Sequence, residues 1–311
     1  MARRVRFGVT LPQVKRTWAE AKAAAQEFDR LGFDSAWVCD HLYGVPMPNL
    51  PILEAWSELA AVAAVTERIE LGTLVTPPFF RNAAVLAKQV ATIDQIAGGR
   101  VIVGLGAGWF ATEFEAHGCP FPPIGERLRA VEEMVEVMKR MWTEPQVTFE
   151  GKHVVVREVM CEPKPVRCPP ILIGGGGERV LLRIAAKHAD IWNNLAAMQP
   201  ELGKKVEVLR RRCDEVGRDF ASIEVSQQCL VVIAETEQAA RASLQRANAI
   251  YGGHLGTHLE EHGIWGAPAQ VIERIERHVK LGCTHFVMEL YGRDTREPAR
   301  LFAERVMPAF R

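Results

Sequence analysis

Hydrophobic positions along the chain follow two different periods. Short runs rich in valine and isoleucine alternate with longer stretches in which apolar residues recur every three or four positions. The first pattern is typical of buried strands and the second of amphipathic helices. Eight strands are predicted, each followed by helical sequence: Val5–Leu11, Ser35–Cys39, Ile69–Val75, Val101–Leu105, Ile171–Ile173, Ala189–Trp192, Ile223–Ile233 and His285–Leu290.

The segments between these strands are predominantly helical. Helices are predicted at Trp18–Leu31, Leu53–Val65, Ala83–Ile96, Arg127–Trp142, Arg179–His188, Leu202–Val216 and Ala299–Val306. A further, mainly helical region is predicted over Glu237–Leu281, broken near Gly252-Gly253 and Gly263–Pro268. A small hairpin is expected at Val147–Val156. Strands that alternate with helices form parallel sheets, and eight such units predict a closed (βα)8 TIM barrel with loop insertions. We expect one domain spanning residues 1–311.

An open doubly wound sheet is the alternative fold. Such sheets bind dinucleotides through a glycine-rich turn after the first strand. The corresponding turn here, Leu11–Thr17, contains no glycine, so the barrel is preferred. Barrel enzymes carry their chemistry on the loops that follow the strands, and candidate residues are therefore sought there.

Composition and charge exclude several classes of protein. The 311 residues include 38 basic and 38 acidic side chains, whereas nucleic-acid-binding proteins usually carry a basic excess. No apolar run approaches the roughly 18 residues of a membrane span, and the first residues resemble a strand more than a signal peptide. The seven cysteines are widely spaced without a CxxC pair, which favours a reducing cytoplasm over a disulfide framework.

Four consecutive glycines after the fifth strand give the most specific physical signal. Gly174-Gly175-Gly176-Gly177-Glu178-Arg179 opens a predicted helix. Free backbone N–H groups and the helix dipole favour anions at a helix start, and glycines leave room for a phosphate. The pattern GxxxxGK[ST] is absent, so a nucleoside triphosphate loop is not indicated. The run predicts a phosphate site, with a purely structural turn as the alternative.

Other strand ends carry polar or small residues. Asp40-His41 follows the second strand, where a carboxylate can orient an imidazole for proton transfer. Thr73 and Thr76 are candidates to hydrogen-bond a ligand, and Gly106-Ala107-Gly108 would let a flat ligand approach the backbone. Asp40 and Glu289 also suggest glycoside hydrolysis, although that idea gives no role to the glycine run.

Three histidines recur every four residues in HLGTHLEEH, at His254, His258 and His262. On one continuous helix they would share a face and could bind a metal ion. The order is not that of the HExxH zinc motif, and neighbouring glycines interrupt the helical pattern. A solvated helix face or lid is preferred, and no metal site is predicted.

Two long motifs together resemble a known family. They are GGRVIVGLGAGWFATEFEAHGCPFPPIGERL, which begins at Gly98, and PPILIGGGGERVLLRIAAKHADIWN, which begins at Pro169. With Asp40-His41 and LGTLVTPP, they resemble the bacterial-luciferase-like flavin and deazaflavin oxidoreductases, most of all the subgroup that uses coenzyme F420. The resemblance runs from about Val5 to Trp192 and is weaker beyond. It implies a (βα)8 barrel, usually dimeric, with F420 or FMN across the mouth at the carboxyl ends of the strands.

The resemblance also implies roles for single residues. The phosphate of the cofactor would be bound at Gly175, Gly176, Gly177 and Glu178, and its ring system would be contacted by Asp40 and lined by Gly106, Ala107 and Gly108. Thr73 and Leu74 match a place where many F420-dependent members carry a non-prolyl cis peptide behind the ring. His41 matches the histidine near the reactive ring carbon, to which proton transfer is assigned.

The residues after the fourth strand bear on the substrate. F420-dependent sugar-phosphate dehydrogenases carry an acidic residue directly after the glycine turn, where this chain has Trp109, with Glu113 further on. Trp109 and Phe110 indicate an apolar or aromatic pocket, which we expect Glu113 and Glu289 to share.

We therefore expect a homodimeric cytoplasmic oxidoreductase that transfers a hydride between F420 and a small organic substrate. An FMN-dependent monooxygenase that uses reduced flavin and oxygen is the first alternative. A non-enzymatic cofactor carrier is the second.

Overall fold

Eight parallel strands close into a barrel in the computed structural model, which describes residues 4–45, 48–251, 255 and 259–311. The strands are β1 Arg6–Thr10, β2 Ser35–Val38, β3 Glu70–Thr73, β4 Val101–Leu105, β5 Ile171–Gly174, β6 Ile191–Asn194, β7 Glu224–Ile233 and β8 His285–Leu290. Each strand pairs with the next, and pairing of β8 with β1 completes the ring. The predicted (βα)8 barrel is confirmed.

Helices surround the ring of strands. They are α1 Trp18–Leu31, α2 Ala55–Ala63, α3 Ala83–Ala97, α4 Ala111–Ala116, α5 Ile124–Thr143, α6 Leu181–His188, α7 Leu202–Val216, α8 Glu237–Tyr251, α9 Leu259–His262, α10 Pro268–Lys280 and α11 Arg296–Arg305. Local signals explain several boundaries. Thr17 and Glu20 form a capping box at the start of α1, and Gly32 ends that helix with a φ of 81°. None of the described helices is both long and apolar enough to cross a membrane.

Additional elements lie outside the barrel. An antiparallel hairpin, Val147–Glu150 and Val155–Val159, follows α5, close to the predicted position. Short 3-10 turns lie at Ala196–Glu201, Phe220–Ser222 and Met307–Phe310.

The structure corrects five predictions made from the sequence. The region expected to be mainly helical contains a short strand, Ile264–Gly266, because its backbone pairs with the end of β7. The loop expected over Gly106–Ile124 includes helix α4. Helix α5 begins three residues earlier than predicted, directly after Pro123, and α11 begins at Arg296 after Thr295. Strand β6 is displaced by two residues toward its carboxyl end, because Ile191–Asn194 pairs with both neighbouring strands.

The interior of the barrel is a packed apolar core. Alternate strand positions contribute to it the side chains of Trp37, Leu74, Ile102, Leu172, Ile191 and Val287. Glycines make room for Trp37, since a Cβ on Gly72 would lie 2.4 Å from its ring. The interior is therefore closed to ligands, and a site must lie at the mouth where the strands end.

Candidate cofactor and active site

The end of β3 projects a valine between two glycines. A cis peptide bond joins Leu74 and Val75, one residue beyond the Thr73–Leu74 position that the resemblance implies. A Cβ on Gly106 would lie 2.4 Å from Cγ2 of Val75, and a Cβ on Gly174 would lie 2.7 Å from its Cγ1. The glycines at the ends of β4 and β5 are therefore required because the Val75 side chain occupies that space.

Two threonines near this turn have their hydroxyl groups engaged within the barrel wall. Thr73 donates to the backbone carbonyl of Gly104 at 2.9 Å, and Thr76 donates to a carboxylate oxygen of Asp40 at 2.7 Å. Both side chains are fully buried. A contact between Thr73 and a ligand therefore stays a prediction.

Asp40 forms a buried ion pair behind the mouth. Arg81 donates to both of its carboxylate oxygens, at 2.6 and 3.0 Å, and also pairs with Glu54. Trp56 donates to the Thr76 hydroxyl at 3.0 Å. Burial raises the pKa of Asp40, while Arg81 and Thr76 act in the opposite direction. The side chain is fully buried, and its expected contact with a ring system stays a prediction.

His41 is held by a buried glutamate. Its Nδ1 lies 2.8 Å from Oε2 of Glu113, whose other oxygen accepts hydrogen bonds from the backbone N–H groups of Leu42 at 2.5 Å and Tyr43 at 3.3 Å. Burial raises the pKa of Glu113, but the hydrogen bond from His41 and the two backbone donors outweigh it, so the net shift is downward. An ionised Glu113 accepts a hydrogen bond from the Nδ1–H of the His41 ring, so that in the neutral ring Nε2 carries no proton and can act as an acceptor.

Aromatic side chains stand next to this pair. The ring of Trp109 meets that of His41 edge to face at 6.2 Å and stacks on Phe110 at 5.2 Å. Trp109 is 55% exposed, so its indole presents apolar surface at the mouth. The structure thus brings His41 next to Glu113 and Trp109, from which it is far apart in the sequence.

The loop that carries Trp109 is fixed by its small residues. Gly108 has a φ of 71°, and a Cβ there would lie 2.9 Å from the ring of Phe114. The carbonyl of Ala107 accepts a hydrogen bond from Arg127 at 3.0 Å. The backbone from Gly106 to Gly108 is therefore held in place close to Val75 and His41.

The glycine run forms a tight turn after β5. Gly175 has a φ of 132°, which suits glycine. Its N–H donates to the carbonyl of Asn193 at 3.1 Å, and its own carbonyl accepts from the indole of Trp192 at 2.8 Å. These bonds to β6 fix where the following residues lie.

The next three N–H groups are the candidate anion site. Within the described part of the chain, the N–H groups of Gly176, Gly177 and Glu178 make no backbone hydrogen bond, and Gly177 is exposed. They precede α6, whose dipole adds to their attraction for an anion. Phosphate binding at Gly175–Glu178 stays a prediction.

Two lysines offset the acidic side chain at this turn. Glu178 pairs with Lys204 at 2.8 Å and with the buried Lys205 at 3.5 Å. The hydrogen bond from Lys204 is the main reason that the pKa of Glu178 is lowered. Lys205 also donates to the carbonyl of Gly176 at 2.9 Å. These cations reduce the repulsion that Glu178 would exert on a phosphate.

Glu289 lies near the carboxyl end of β8. Its Oε2 accepts a hydrogen bond from the hydroxyl of Thr10 at 2.9 Å. Burial raises the pKa of Glu289, and the bond from Thr10 opposes that shift. The side chain is half-buried, in keeping with a place in the pocket.

Among the residues that the structure describes, the histidine series forms no metal centre. His254 and His258 lie outside the described residues, and His262 ends α9. Among the described side chains, no three histidine, cysteine, aspartate or glutamate residues come together to hold a metal ion.

Several contributors to the site were not found from the sequence. Arg81, Lys204, Lys205 and Thr10 reach it from loops, a helix and the first strand, and none belongs to a motif. Only the alternation of side chains along β1 could have placed Thr10 at the mouth.

The chain is similar to several known proteins. The chain is 28% identical to an F420-dependent glucose-6-phosphate dehydrogenase of Intrasporangium calvum, covering 93% of this chain and 98% of that protein. It is 31% identical to an FMNH2-dependent dimethylsulfone monooxygenase of Pseudomonas putida, covering 59% and 50%. The solved structure of the coenzyme F420-dependent tetrahydromethanopterin reductase from Methanopyrus kandleri superimposes with a TM-score of 0.83 at 25% identity, covering 99% of this chain and 100% of that one.

The model of the luciferase-like monooxygenases matches residues 5–255, which include every strand end described above except that of β8. With its closed barrel and its mouth built from these strand ends, the chain belongs to the luciferase-like monooxygenase family.

Proposed function

We propose that this protein is an F420-dependent oxidoreductase that transfers a hydride between the deazaflavin and a small organic molecule. The observation that carries the proposal is that two features lie at the same mouth of the barrel. One is the turn Gly176–Glu178, whose N–H groups make no backbone hydrogen bond within the described chain, and the other is the His41–Glu113 pair. Its relatives include F420-dependent dehydrogenases that match nearly the whole chain.

The residues present fit such a cofactor. Its phosphate would accept hydrogen bonds from the N–H groups of Gly176, Gly177 and Glu178. Val75, packed between Gly106 and Gly174, would support the ring system. When bound, F420 supplies a ring carbon that accepts or donates the hydride.

The protein's own contribution is orientation and proton transfer. Glu113 fixes the ring of His41 and keeps Nε2 available to accept a proton from a substrate hydroxyl, or in reverse to donate one to a carbonyl oxygen. Trp109 and Phe110 cover the pocket with apolar surface, which excludes water and strengthens these interactions. Asp40 and Arg81 hold the segment before His41 from behind.

An FMN-dependent monooxygenase is the second candidate, and the 31% identity to an FMNH2-dependent monooxygenase favours it. The same N–H groups would accept the FMN phosphate. Oxygen uptake with reduced FMN in the presence of the purified protein tests this alternative.

Fluorescence titration with F420 and with FMN tests the main proposal. F420 is expected to bind in the micromolar range or tighter, and more tightly than FMN. If neither compound binds, the oxidoreductase assignment fails, and if only FMN binds, the monooxygenase replaces it. Binding without any turnover across a broad panel of alcohols and carbonyls would favour a carrier.

We also propose that the protein acts as a homodimer. Four apolar side chains that are at least half exposed, Val85, Ile96, Met160 and Val166, lie on α3 and the neighbouring segment. That segment is tied to α3, since Lys88 donates to the carbonyl of Glu162. A second copy would cover this surface. Light scattering after size exclusion should give twice the 34.6 kDa mass of one chain. Ile96→Asp should lower the measured mass to that of the monomer.

A further inference from the structure

The side chain of Glu289 points into the mouth of the barrel. Side chains alternate along a strand, and Val287 belongs to the interior cluster, so Glu289 lies on the inner face one layer nearer the mouth. Thr10, its hydrogen-bond partner, comes from the end of β1. Leu230 is its neighbour on β7. The carboxyl group is therefore part of the pocket wall.

Glu289 differs from Asp40 and Glu178 at this mouth in lacking a lysine or arginine partner. Asp40 pairs with Arg81, and Glu178 with Lys204. Within the described chain, Glu289 forms no ion pair, and its Oε1 accepts no hydrogen bond. A half-buried acid without such partners is costly unless a ligand engages it, which is why these groups are common at binding sites.

Neutral side chains surround this carboxyl group. Its charge is one of the causes that raise the pKa of the Cys39 thiol and of the Tyr251 phenol to about 12, second in each case to burial. Tyr291 meets Tyr251 edge to face at 6.3 Å. The Cys39 thiol and the Tyr251 phenol thus stay protonated and uncharged beside Glu289.

An apolar cluster continues the wall above Glu289. It consists of Ala196, Leu230, Val232, Ala240, Leu244, Ala247, Leu255, Leu259 and Trp265, with Ala234, Tyr251 and Tyr291 packed against it. Lys205, a buried lysine on α7, is already paired with Glu201 at 3.2 Å and Glu178 at 3.5 Å. This wall offers apolar surface and one acidic group to a substrate.

We propose that Glu289 determines substrate specificity, binding a hydroxyl or carbonyl oxygen of an uncharged substrate and rejecting phosphorylated or carboxylate compounds. The inference rests on the proposed function and narrows its substrate class. A carboxyl group can accept from a hydroxyl when ionised and donate to a carbonyl when protonated. An anionic substrate would meet like charge in a half-buried place, where repulsion is strong. The chain thereby differs in substrate class from the sugar-phosphate dehydrogenases among its relatives.

Three secondary alcohols of similar shape and different charge test this inference. They are 2-butanol, 3-hydroxybutanoate and 4-amino-2-butanol, assayed with F420 by loss of the visible absorbance of the oxidised cofactor. Their binding to the protein–F420 complex is also titrated by tryptophan fluorescence, so that charge preference is measured even where turnover is slow. For the wild type, we expect 2-butanol to exceed 3-hydroxybutanoate by about tenfold or more in kcat/KM or affinity.

Glu289→Gln removes the charge while keeping the shape, and Glu297→Gln removes an exposed charge from the same end of the barrel. The first variant should bring the ratio of 2-butanol to 3-hydroxybutanoate within about threefold, and the second should leave it unchanged. Both should bind F420 as the wild type does.

A wild-type preference for the anion overturns the inference that Glu289 rejects anionic substrates, and a preference for the amine overturns the assignment of an uncharged substrate. The inference is also overturned by an unchanged ratio in Glu289→Gln, or by a protein–F420 complex that binds no uncharged alcohol. Absence of F420 binding would instead reject the proposed function.

Discussion

Replacing Glu113 should change both stability and the tautomer of His41. The carboxylate is 1% exposed and accepts three hydrogen bonds, from the His41 ring and from the N–H groups of Leu42 and Tyr43. Glu113→Ala leaves two backbone donors without this acceptor, and each such loss costs about 1–3 kcal/mol. The His41 side chain is partly exposed and can form a hydrogen bond with water instead, so the loss of its bond to Glu113 adds little to this cost. We expect a loss of about 3 kcal/mol in the free energy of unfolding.

Glu113→Gln separates stability from chemistry. The amide oxygen can still accept from Leu42 and Tyr43, so the loss should be only about 1 kcal/mol. The amide N–H₂ then faces Nδ1 of His41, and the neutral ring must carry its proton on Nε2. Because Nε2 then donates, the base is lost. Loss of the correct histidine tautomer lowers turnover by about 10⁴-fold in serine proteases, and we expect a fall of at least about 10²-fold here.

Urea unfolding measures the first effect, and long-range ¹H–¹⁵N NMR of labelled histidine measures the second. Because the pKa of Glu113 is lowered by folding, its contribution is complete above the ordinary value of 4.5 and is lost as pH falls through the lowered value. Glu115→Ala, at an exposed neighbouring glutamate, is the control. A loss below about 1 kcal/mol in Glu113→Ala, or a proton that stays on Nδ1 in Glu113→Gln, would refute the reasoning.

Three further predictions concern packing and buried charge. Arg81→Met leaves Asp40 buried without its partner and should cost about 3–5 kcal/mol in urea unfolding, with partial recovery when Asp40→Asn is added. Gly106→Ala should lower the free energy of unfolding by about 1–3 kcal/mol, because the new Cβ clashes with Val75. Adding Val75→Ala should relieve much of this loss, whereas a double variant whose loss equals the sum of the two single losses would contradict the contact between these residues. Burial raises the pKa of Glu58 to about 8, so ionising this carboxyl group costs the folded protein stability. That cost is absent below pH 4.5 and grows as pH rises toward 8. Glu58→Gln should therefore stabilise the protein at pH 9 by roughly 2–5 kcal/mol and leave its stability unchanged near pH 4.

The barrel could be predicted because its signals are local. Each strand is a short apolar run between polar loops, and helices such as α1 and α7 have clear ends at Gly32 and Gly217. The short strand Ile264–Gly266 could not be predicted, because three residues carry too little periodicity and the strand exists through pairing with β7.

Candidate site residues could be found at strand ends, but their partners could not. His41 and Glu113 were both identified, yet their contact joins residues 72 positions apart and depends on how β2 and β4 are arranged in the ring. Arg81 carries no local signal, and only the fold shows that it neutralises Asp40. The resemblance implied a cis peptide bond at Thr73–Leu74, near the end of β3, and the structure has it at the next bond, Leu74–Val75.

The anion site at the start of α6 is the central claim, and a charge at Gly177 tests it most directly. This residue is exposed, and a Cβ there meets only Leu181 at 3.5 Å, so a side chain is tolerated. Affinities for F420 and for a deazaflavin without the phosphate are measured by fluorescence in the wild type, Gly177→Asp and Gly177→Asn. Gly177→Asp should weaken F420 binding by about tenfold or more, Gly177→Asn should change it by less than about threefold, and neither should affect the phosphate-free compound. Equal F420 affinity in all three proteins, or an equal loss for the phosphate-free compound, would contradict the account.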